Sequence, residues 1–577
     1  MRFSWIFGAG VAFAIALLFL VPRTRHSILP WRIGASKTAQ VPIEHYLAIL
    51  PLRIVGDEQT NRYVADGVID ELSAKLGSLK NIYVAPPNAV TGVLKKQKDP
   101  QKIAHALGVK LLLQGTVTSG SGDRIAIVIT LDDAGNKGRN LMQEAFTGER
   151  QDLLTLEDQI FSKVVSTLQI KESNEELART KTRPTGDIKA YEVYMKGRNL
   201  WRESESVKDL ESAIGLFDQA IKLDSQFALA YAGLADSERR IWDQTHDAAW
   251  TQKALSSARQ AQALNDNLPD VHFILGSIYT TTGRTAEAIA ELQRALQLAP
   301  NSDETLRRLG TAYLQAGRQQ EAIAAYTQAT EINPYLWTNF RSLGSAYFKL
   351  GQNEKALAAF QQITQLEPGL PDGWEDVGAV YFQMGRWSES LSKYQKAIDI
   401  SPDADFYSNL ATAYYYLGKF DQAAKTFEKA VSMEPENDDI RVNLGDAYRW
   451  SGQTAKAAAT YDQAISLAYK SIRVNPRNAN ALGNLAICFA KKGDSKQALK
   501  FIARARSIDP KDNYLMYEQA TIYTLAGETS QAMASLEEAL RNGYSIQQSR
   551  SDPDLKRLHD FPEFNRLGDQ LSERSAQ

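Results

Sequence analysis

The sequence predicts an α-helical superhelix of about ten helix-turn-helix repeats, preceded by a small α/β domain and an amino-terminal membrane helix. Three observations lead there. Tyr, Gly, Ala and Pro recur at steps of about 34 residues over the carboxy-terminal part of the chain. Strand-like and helix-like segments alternate over 44–170. The first residues contain an uncharged apolar run.

That run, WIFGAGVAFAIALLFLV (5–21), is 17 residues without a charge. At about 1.5 Å per helical residue it spans roughly 25 Å, near the lower limit for crossing a bilayer. The competing reading is a cleavable signal peptide, but the run ends in LVPRTR with no small-x-small site beside it. An uncleaved single-pass anchor is therefore expected. Arg23, Arg25, Arg32 and Lys37 follow it and only Arg2 precedes it, so the positive-inside rule places the carboxy-terminal part in the cytoplasm.

Within 44–170, HYLAILPLRI and NIYVAPP read as strands closed by proline. NRYVADGVIDELSAKLGSL lies between them, with Val64, Val68, Leu72 and Leu76 on one helical face. KLLLQGTVTSGSGDRIAIVITLDD reads as a hairpin, MQEAFTG as a further strand, and LLTLEDQIFSKVVSTLQI as an amphipathic helix. Residues 171–186, charged and ending in Pro-Thr-Gly, read as a linker or exposed helix end.

The repeats occupy 187–544. Tyrosines at 279, 313, 347, 381, 414 and 448 are each followed four residues on by glycine, and five further by Ala or Ser. Glycine allows the tight turn between two helices, and a closing proline ends the second. Three before each tyrosine stands Gly or Ala (276, 310, 344, 378, 411, 445), which lets the facing helix approach closely. One such pair cannot bury its apolar stripe alone, so neighbours stack. Two diverged units fill 187–268. Regular ones follow at 269–302, 303–336, 337–370, 371–403, 404–437, 438–478, 479–512 and 513–544. Seven extra residues fall between Tyr231 and Ala254 and another seven (AYKSIRV) in the unit of Tyr448. Seven is close to two helical turns, so a helix lengthens without rotating its apolar face. The last segment, 545–577, is expected to cap the stack.

The repeat pattern, seen whole in WEDVGAVYFQMGRWSESLSKYQKAIDISP (374–402), resembles the tetratricopeptide repeat family. LAILP (47–51), ADGVIDELSAKL (65–76) and ALGVKLLLQGTV (106–117) resemble the α/β domain of TolB-type amino-terminal regions, though Leu52 stands where that family usually has an aromatic residue. The pairing resembles the extracytoplasmic half of bacterial membrane-bound kinases, adenylate cyclases and CadC-type regulators. In those relatives an effector domain precedes the membrane helix. Only four residues do so here, so no effector domain is expected. The resemblance implies a periplasmic location at the inner membrane, against the flanking charges, and the side stays open.

Lys+Arg is 66 and Asp+Glu is 68, which removes the overall electrostatic reason to expect a nucleic-acid partner. One cysteine, Cys488, excludes a disulfide framework within the chain. The six histidines show no metal-ligand spacing, and no phosphate-cradling loop, His-Glu-x-x-His or nucleophile elbow occurs. No enzyme activity, cofactor, metal or small-molecule substrate is therefore expected. Asp66, Asp70 and Glu71 cluster on one helix and read as a solvated face, His105 as structural, and Cys488 as a buried inert thiol.

The expected function is binding of a protein or peptide by a membrane-anchored, non-enzymatic scaffold or adaptor. The alternatives are the sensory half of a signalling system acting on a separate kinase or cyclase and, further off, a substrate-capture subunit of a transferase. The resemblance places the first helix of each repeat along a concave groove. Asn409, Asn443 and Asn484 hold one position of three successive units, and an amide row offers donors and acceptors to an extended peptide, as in the repeats of O-GlcNAc transferase. Arg307 and Arg341 offer cations for a carboxylate. Tyr416 and Trp450 offer aromatic anchors, with packing between repeats as the competing reading. Tyr414 is assigned to the core of its repeat.

Overall fold

The computed structural model describes residues 44–567, apart from 120–122, 137, 181–182 and 205. The expected anchor (5–21) lies outside the described residues. Among those described, no helix is long and apolar enough to cross a membrane. The contacts divide the chain into two compact units that meet between Ser342 and Leu343.

The first unit opens with six strands: β1 (His45–Ile49), β2 (Arg53–Val55), β3 (Ile82–Val84), β4 (Leu111–Ser119), β5 (Arg124–Asp133) and β6 (Arg139–Glu149). Their order is β3-β1-β4-β5-β6, with β2 also on β4; β1, β2 and β3 pair in parallel and the β4–β5–β6 meander is antiparallel. Along β5 every second residue (Ile125, Ile127, Ile129, Leu131) is buried, as a sheet covered on one face requires. The cover is α1 (Glu58–Gly77) and α4 (Leu153–Thr167), whose Val64, Val68, Leu72, Ile160 and Val164 join that core. Two short helices, α2 (Pro87–Lys96) and α3 (Pro100–Leu107), start on prolines at the first helical position, where the missing N–H costs nothing.

The described residues of 171–186 are docked rather than free. They contain the short helix α5 (Asn174–Thr180), where Glu176 accepts the N–H of Lys80 at 3.0 Å. The core then runs without a break from the sheet into the first repeat pair, α6 (Ile188–Glu203) and α7 (Val207–Leu223), through Tyr191, Tyr194, Met195 and Phe217. Three further pairs follow in this unit: α8 (Ala228–Thr245) with α9 (Ala248–Leu264), α10 (Pro269–Thr281) with α11 (Thr285–Leu298), and α12 (Asp303–Gln315) with α13 (Gln319–Ile332). α14 (Trp337–Lys349) holds the division between the units.

The second unit continues with α15 (Asn353–Leu366), then α16 (Pro371–Gln383) with α17 (Trp387–Ile400) and α18 (Ala404–Tyr416) with α19 (Phe420–Met433). α20 (Asp438–Trp450) pairs with α21 (Thr454–Val474), α22 (Ala479–Lys491) with α23 (Ser495–Ile508), and α24 (Asn513–Ala526) with α25 (Thr529–Arg541). A short helix α26 (Ile546–Ser551) and a 3₁₀ turn (Pro553–Leu558) follow.

The recurring residues do definite jobs. From Gly283 to Gly527 the turn glycines have φ between 69° and 86°, left-handed values that a side chain disfavours. They form Schellman ends: the N–H of Gly283 donates to Thr280 O and that of Arg284 to Tyr279 O. A Cβ on Gly310, Gly344, Gly378 or Gly445 would come within 2.5–2.7 Å of the ring of Tyr326, Phe360, Tyr394 or Tyr461 on the second helix. The small slot therefore exists to receive an aromatic ring. Ala288, Ala322, Ala356 and Ala423 are fully buried, and Ser390 in that slot donates its hydroxyl to Gly378 O at 2.9 Å. The inserted residues lengthen helices: α21 has 21 residues against 14 for α19, and α8 has 18 against 13 for α10.

Candidate peptide-binding groove

In the second unit, the position five before the repeat aromatic forms a polar row along the first helices. It reads Asp376 (α16), Asn409 (α18), Asn443 (α20), Asn484 (α22) and Glu518 (α24), all at most 5 % exposed. Two of the amides are tied to carboxylates of the preceding repeat. Asn409 Nδ2 donates to Glu375 at 3.1 Å, and Asn484 Nδ2 donates to Asp438 and Asp439 at 3.1 and 2.8 Å. Asn409 Oδ1 is buried with no hydrogen-bond partner among the described residues. Asn443 and Asn484 line a cavity of about 20 Å³ with Asp446, Lys491, Tyr517 and Glu518.

The aromatic residues pack between repeats. Tyr416 is 5 % exposed and stacks on Trp387 at 5.1 Å, with Phe382 and Tyr415 edge-on to it. Tyr414 is the half-buried member of the three tyrosines, and Tyr415 and Tyr416 form the core. This reverses the assignment drawn from the repeat pattern, because the pattern fixes spacing along a helix and not how deeply the neighbouring repeat covers each face. Trp450 is half-buried, close to Phe420 and under the Arg449 guanidinium, and its indole N–H has no hydrogen-bond partner among the described residues.

Arg307 and Arg341 fall in the first unit, and both are half-buried. Arg307 lies near enough to Tyr83 of the sheet for its charge to act on that hydroxyl, and its Nε is buried without a hydrogen bond among the described residues. Here the α/β domain docks onto the repeats. Asn301 Nδ2 donates to the carbonyls of Leu79, Lys80 and Ile82 at 2.8–3.3 Å, Asn333 donates to Tyr83, and Tyr335 lies against Gly108. Two of the carboxylates expected on a solvated face belong to a second contact, where Asp66 accepts from Asn199 and Asp70 pairs with Arg202 and Arg198; the third, Glu71, pairs with Lys75 on its own helix. Nearby Glu157 accepts from Tyr191, and burial together with the Glu71 charge holds its carboxyl well above the usual range. Cys488 is fully buried, which raises its thiol pKa, and His105 packs edge-on against Tyr335.

The segment after α25 lies against the same first helices as the polar row. Ser545 Oγ donates to Gln383 O at the end of α16, and Gln547 packs on Gly385. Tyr544 stacks on Tyr517 at 4.3 Å, and its hydroxyl faces that of Tyr416 without ordinary hydrogen-bond geometry. Tyr517 donates to Asp552, while Asp554 takes Arg449 of α20 and Lys491 of α22. Lys491 also reaches Asp446 at 2.9 Å, which accepts from Tyr461 at 2.6 Å. Burial raises Asp554, but Lys491 and Arg449 outweigh it and hold its carboxyl below the usual value. Burial and the Asp554 charge push Asp552 up to about 7. Sequence reasoning missed this cluster. Its signals were Lys491 in the slot that holds Tyr416 and Trp450 in earlier repeats, and the two aspartates around Pro553.

A tetratricopeptide repeat family model matches residues 438–511. The chain is a tetratricopeptide repeat protein. The model of the cilia and flagella-associated protein 70 C-terminal domain matches 222–471. A putative adenylate cyclase 3 of Rhizobium meliloti (strain 1021) is 26 % identical over 263 residues, 45 % of this chain. The chain spans less than half of that relative, 44 % of its length. Among solved structures, MamA is 30 % identical with a TM-score of 0.26, covering 28 % of this chain and 95 % of its own. A tetratricopeptide repeat protein from Parabacteroides merdae ATCC 43184 is 20 % identical with a TM-score of 0.34, covering 45 % and 98 %. YrrB, described as having an unusual peptide-binding site, is 22 % identical with a TM-score of 0.27, covering 33 % and 94 %.

Proposed function

We propose that this tetratricopeptide repeat protein is a non-enzymatic scaffold or adaptor, anchored in the bacterial inner membrane by residues 5–21. Its second unit would take an extended peptide of a protein partner along the row from Asp376 to Glu518. Tetratricopeptide repeats mediate protein and peptide binding as a class. The observation that carries the reading for this chain is the row itself. Five successive first helices place a carboxylate or amide at one position, and Asn409 Oδ1 has no partner within the described chain. A buried acceptor without a donor costs about 1–3 kcal/mol, and a peptide N–H relieves that cost.

The test is capture of partners from membranes by the full chain and by Asn409→Ala/Asn443→Ala/Asn484→Ala. The variant should lose its partner while keeping its far-UV circular dichroism. Unchanged capture by a folded variant refutes the groove. A second reading, regulation of a separate cyclase, rests on the likeness to the putative adenylate cyclase. Recovery of a cyclase as the captured partner selects it.

A further inference from the structure

Residues 545–554 touch the first helices α16, α20, α22 and α24, on the surface where a peptide partner would lie, and Tyr544 just before them faces Tyr416 of α18. The contacts that hold this stretch are mostly polar. It ends in Asp552-Pro553-Asp554, whose carboxylates meet Tyr517, Lys491 and Arg449 and are at most 3 % and 7 % exposed as residues. The apolar anchors of the tail come later: Leu555, Leu558 and Phe564 sit in the core of α24 and α25. The tail thus has two parts, a polar stretch along the groove and an apolar cap on the last repeat. The cap closes the stack, as a terminal repeat needs. Capping gives no reason for Asp554 to reach back to α20 and α22.

We infer that residues 545–554 are an intramolecular occupant of the groove, and that the groove's partner is an acidic linear peptide with two carboxylates spaced Asp-x-Asp. The partner displaces the chain's own segment and places its carboxylates on Tyr517, Lys491 and Arg449. This rests on the reading that the groove binds a peptide. The chemistry of the occupant defines that of the partner: a lysine and an arginine converge on one carboxylate, a phenol on the next but one, and a neutral peptide leaves Arg449 without its carboxylate and Lys491 with Asp446 alone. Binding in trans is opposed by the tethered segment, whose effective concentration is that of an intramolecular ligand.

The experiment uses the detergent-solubilised full chain and a fluorescent synthetic peptide, SIQQSRSDPDLKRL, the chain's own 545–558. The Asp552→Asn/Asp554→Asn chain should bind the peptide at least tenfold tighter than the wild type. Adding Lys491→Met should abolish this, and a peptide with both aspartates changed to asparagine should not bind. Equal affinity for wild type and double variant, or equal affinity for the asparagine peptide, overturns the inference. So does light scattering that shows the wild type paired through exchanged tails, since the occupant is then a second copy. Should the double variant unfold, the wild type decides alone. Saturating peptide must raise hydrogen exchange over 545–554, and no rise overturns the inference. Partner capture that depends on the asparagine row and ignores Lys491, Asp552 and Asp554 sinks this inference and leaves the proposed function standing.

Discussion

Lys491→Met removes one charge at the centre of the second unit and keeps most of the side-chain volume. The ammonium is 2 % exposed and lies between Asp446 at 2.9 Å and Asp554. Taking one partner from a buried ion pair costs about 3–5 kcal/mol, because the remaining charge is left uncompensated. Both carboxylates keep a second partner here: Asp554 has Arg449, which is 30 % exposed, and Asp446 has the Tyr461 hydroxyl. The expected loss is therefore about 2–4 kcal/mol, toward the low end of that range. In a stack of repeats the loss is local, since each repeat contacts only its neighbours. Hydrogen exchange of the full chain, read separately for α20 to α24 and for α6 to α9, is the suitable assay. Protection should fall in the first set and hold in the second. Adding Asp446→Asn and Asp554→Asn to Lys491→Met should restore at least half of it, because the orphaned charges are gone. A cost under about 1 kcal/mol, or no recovery in the triple variant, would show that the cluster is more solvated than its geometry indicates.

Three further outcomes follow from the same structure. Asn301→Ala removes three hydrogen bonds to the edge of the sheet; limited proteolysis should cut faster around 78–82, and an unchanged rate would make the contact incidental. Ala356→Leu places three extra carbons in a fully buried helix interface, and should cost about 1–3 kcal/mol by thermal melting. The docked tail should respond to pH on both sides. Asp552, facing Tyr517, Asp554, Lys491 and the nearby Tyr415 and Tyr416, has a folded pKa raised from 3.8 to about 7, so its contribution is full below pH 3.8 and is lost as pH rises through 7. Asp554 is shifted down, so its contribution is present above 3.8 and is lost as pH falls through its lowered value. Hydrogen exchange over 545–554, corrected for intrinsic rates, should therefore speed up as pH rises from 3.8 to about 7 and level off above it, and Asp552→Asn should flatten that limb.

The repeats were legible because their physics is local. A left-handed glycine, a small residue under an aromatic ring and a buried alanine recur at fixed spacing, and each acts within one helix pair. The lengthening of α21 by seven residues follows from the same arithmetic. What escaped was contact between distant segments. Tyr414 and Tyr415 are adjacent, and only the neighbouring repeat and the tail decide which is covered. Asp66 and Asp70 looked solvated because their partners Asn199 and Arg202 lie more than a hundred residues on. The helices α2 and α3 went unread because each is a single short piece begun by proline. Asn409, Asn443 and Asn484 could be placed in one row from sequence, but the carboxylate partners of Asn409 and Asn484 in the preceding repeat could not.

Both units carry a tenant on their repeats, and the two are held by different forces. In the first, the α/β domain shares one apolar core with α6 and α7, running from Leu47 through Tyr191 and Tyr194 to Phe217. Separating them exposes side chains worth about 1.5–3 kcal/mol each, and no soluble peptide replaces that burial. In the second, residues 545–554 are held mainly by hydrogen bonds and ion pairs to Gln383, Arg449, Lys491 and Tyr517. An incoming acidic peptide can replace those bonds one for one, so the net cost of exchange is small even though each bond is strong. The first docking is therefore part of the fold. The second is the place where a partner can compete, and its buried, raised Asp552 makes it the weaker of the two above neutral pH.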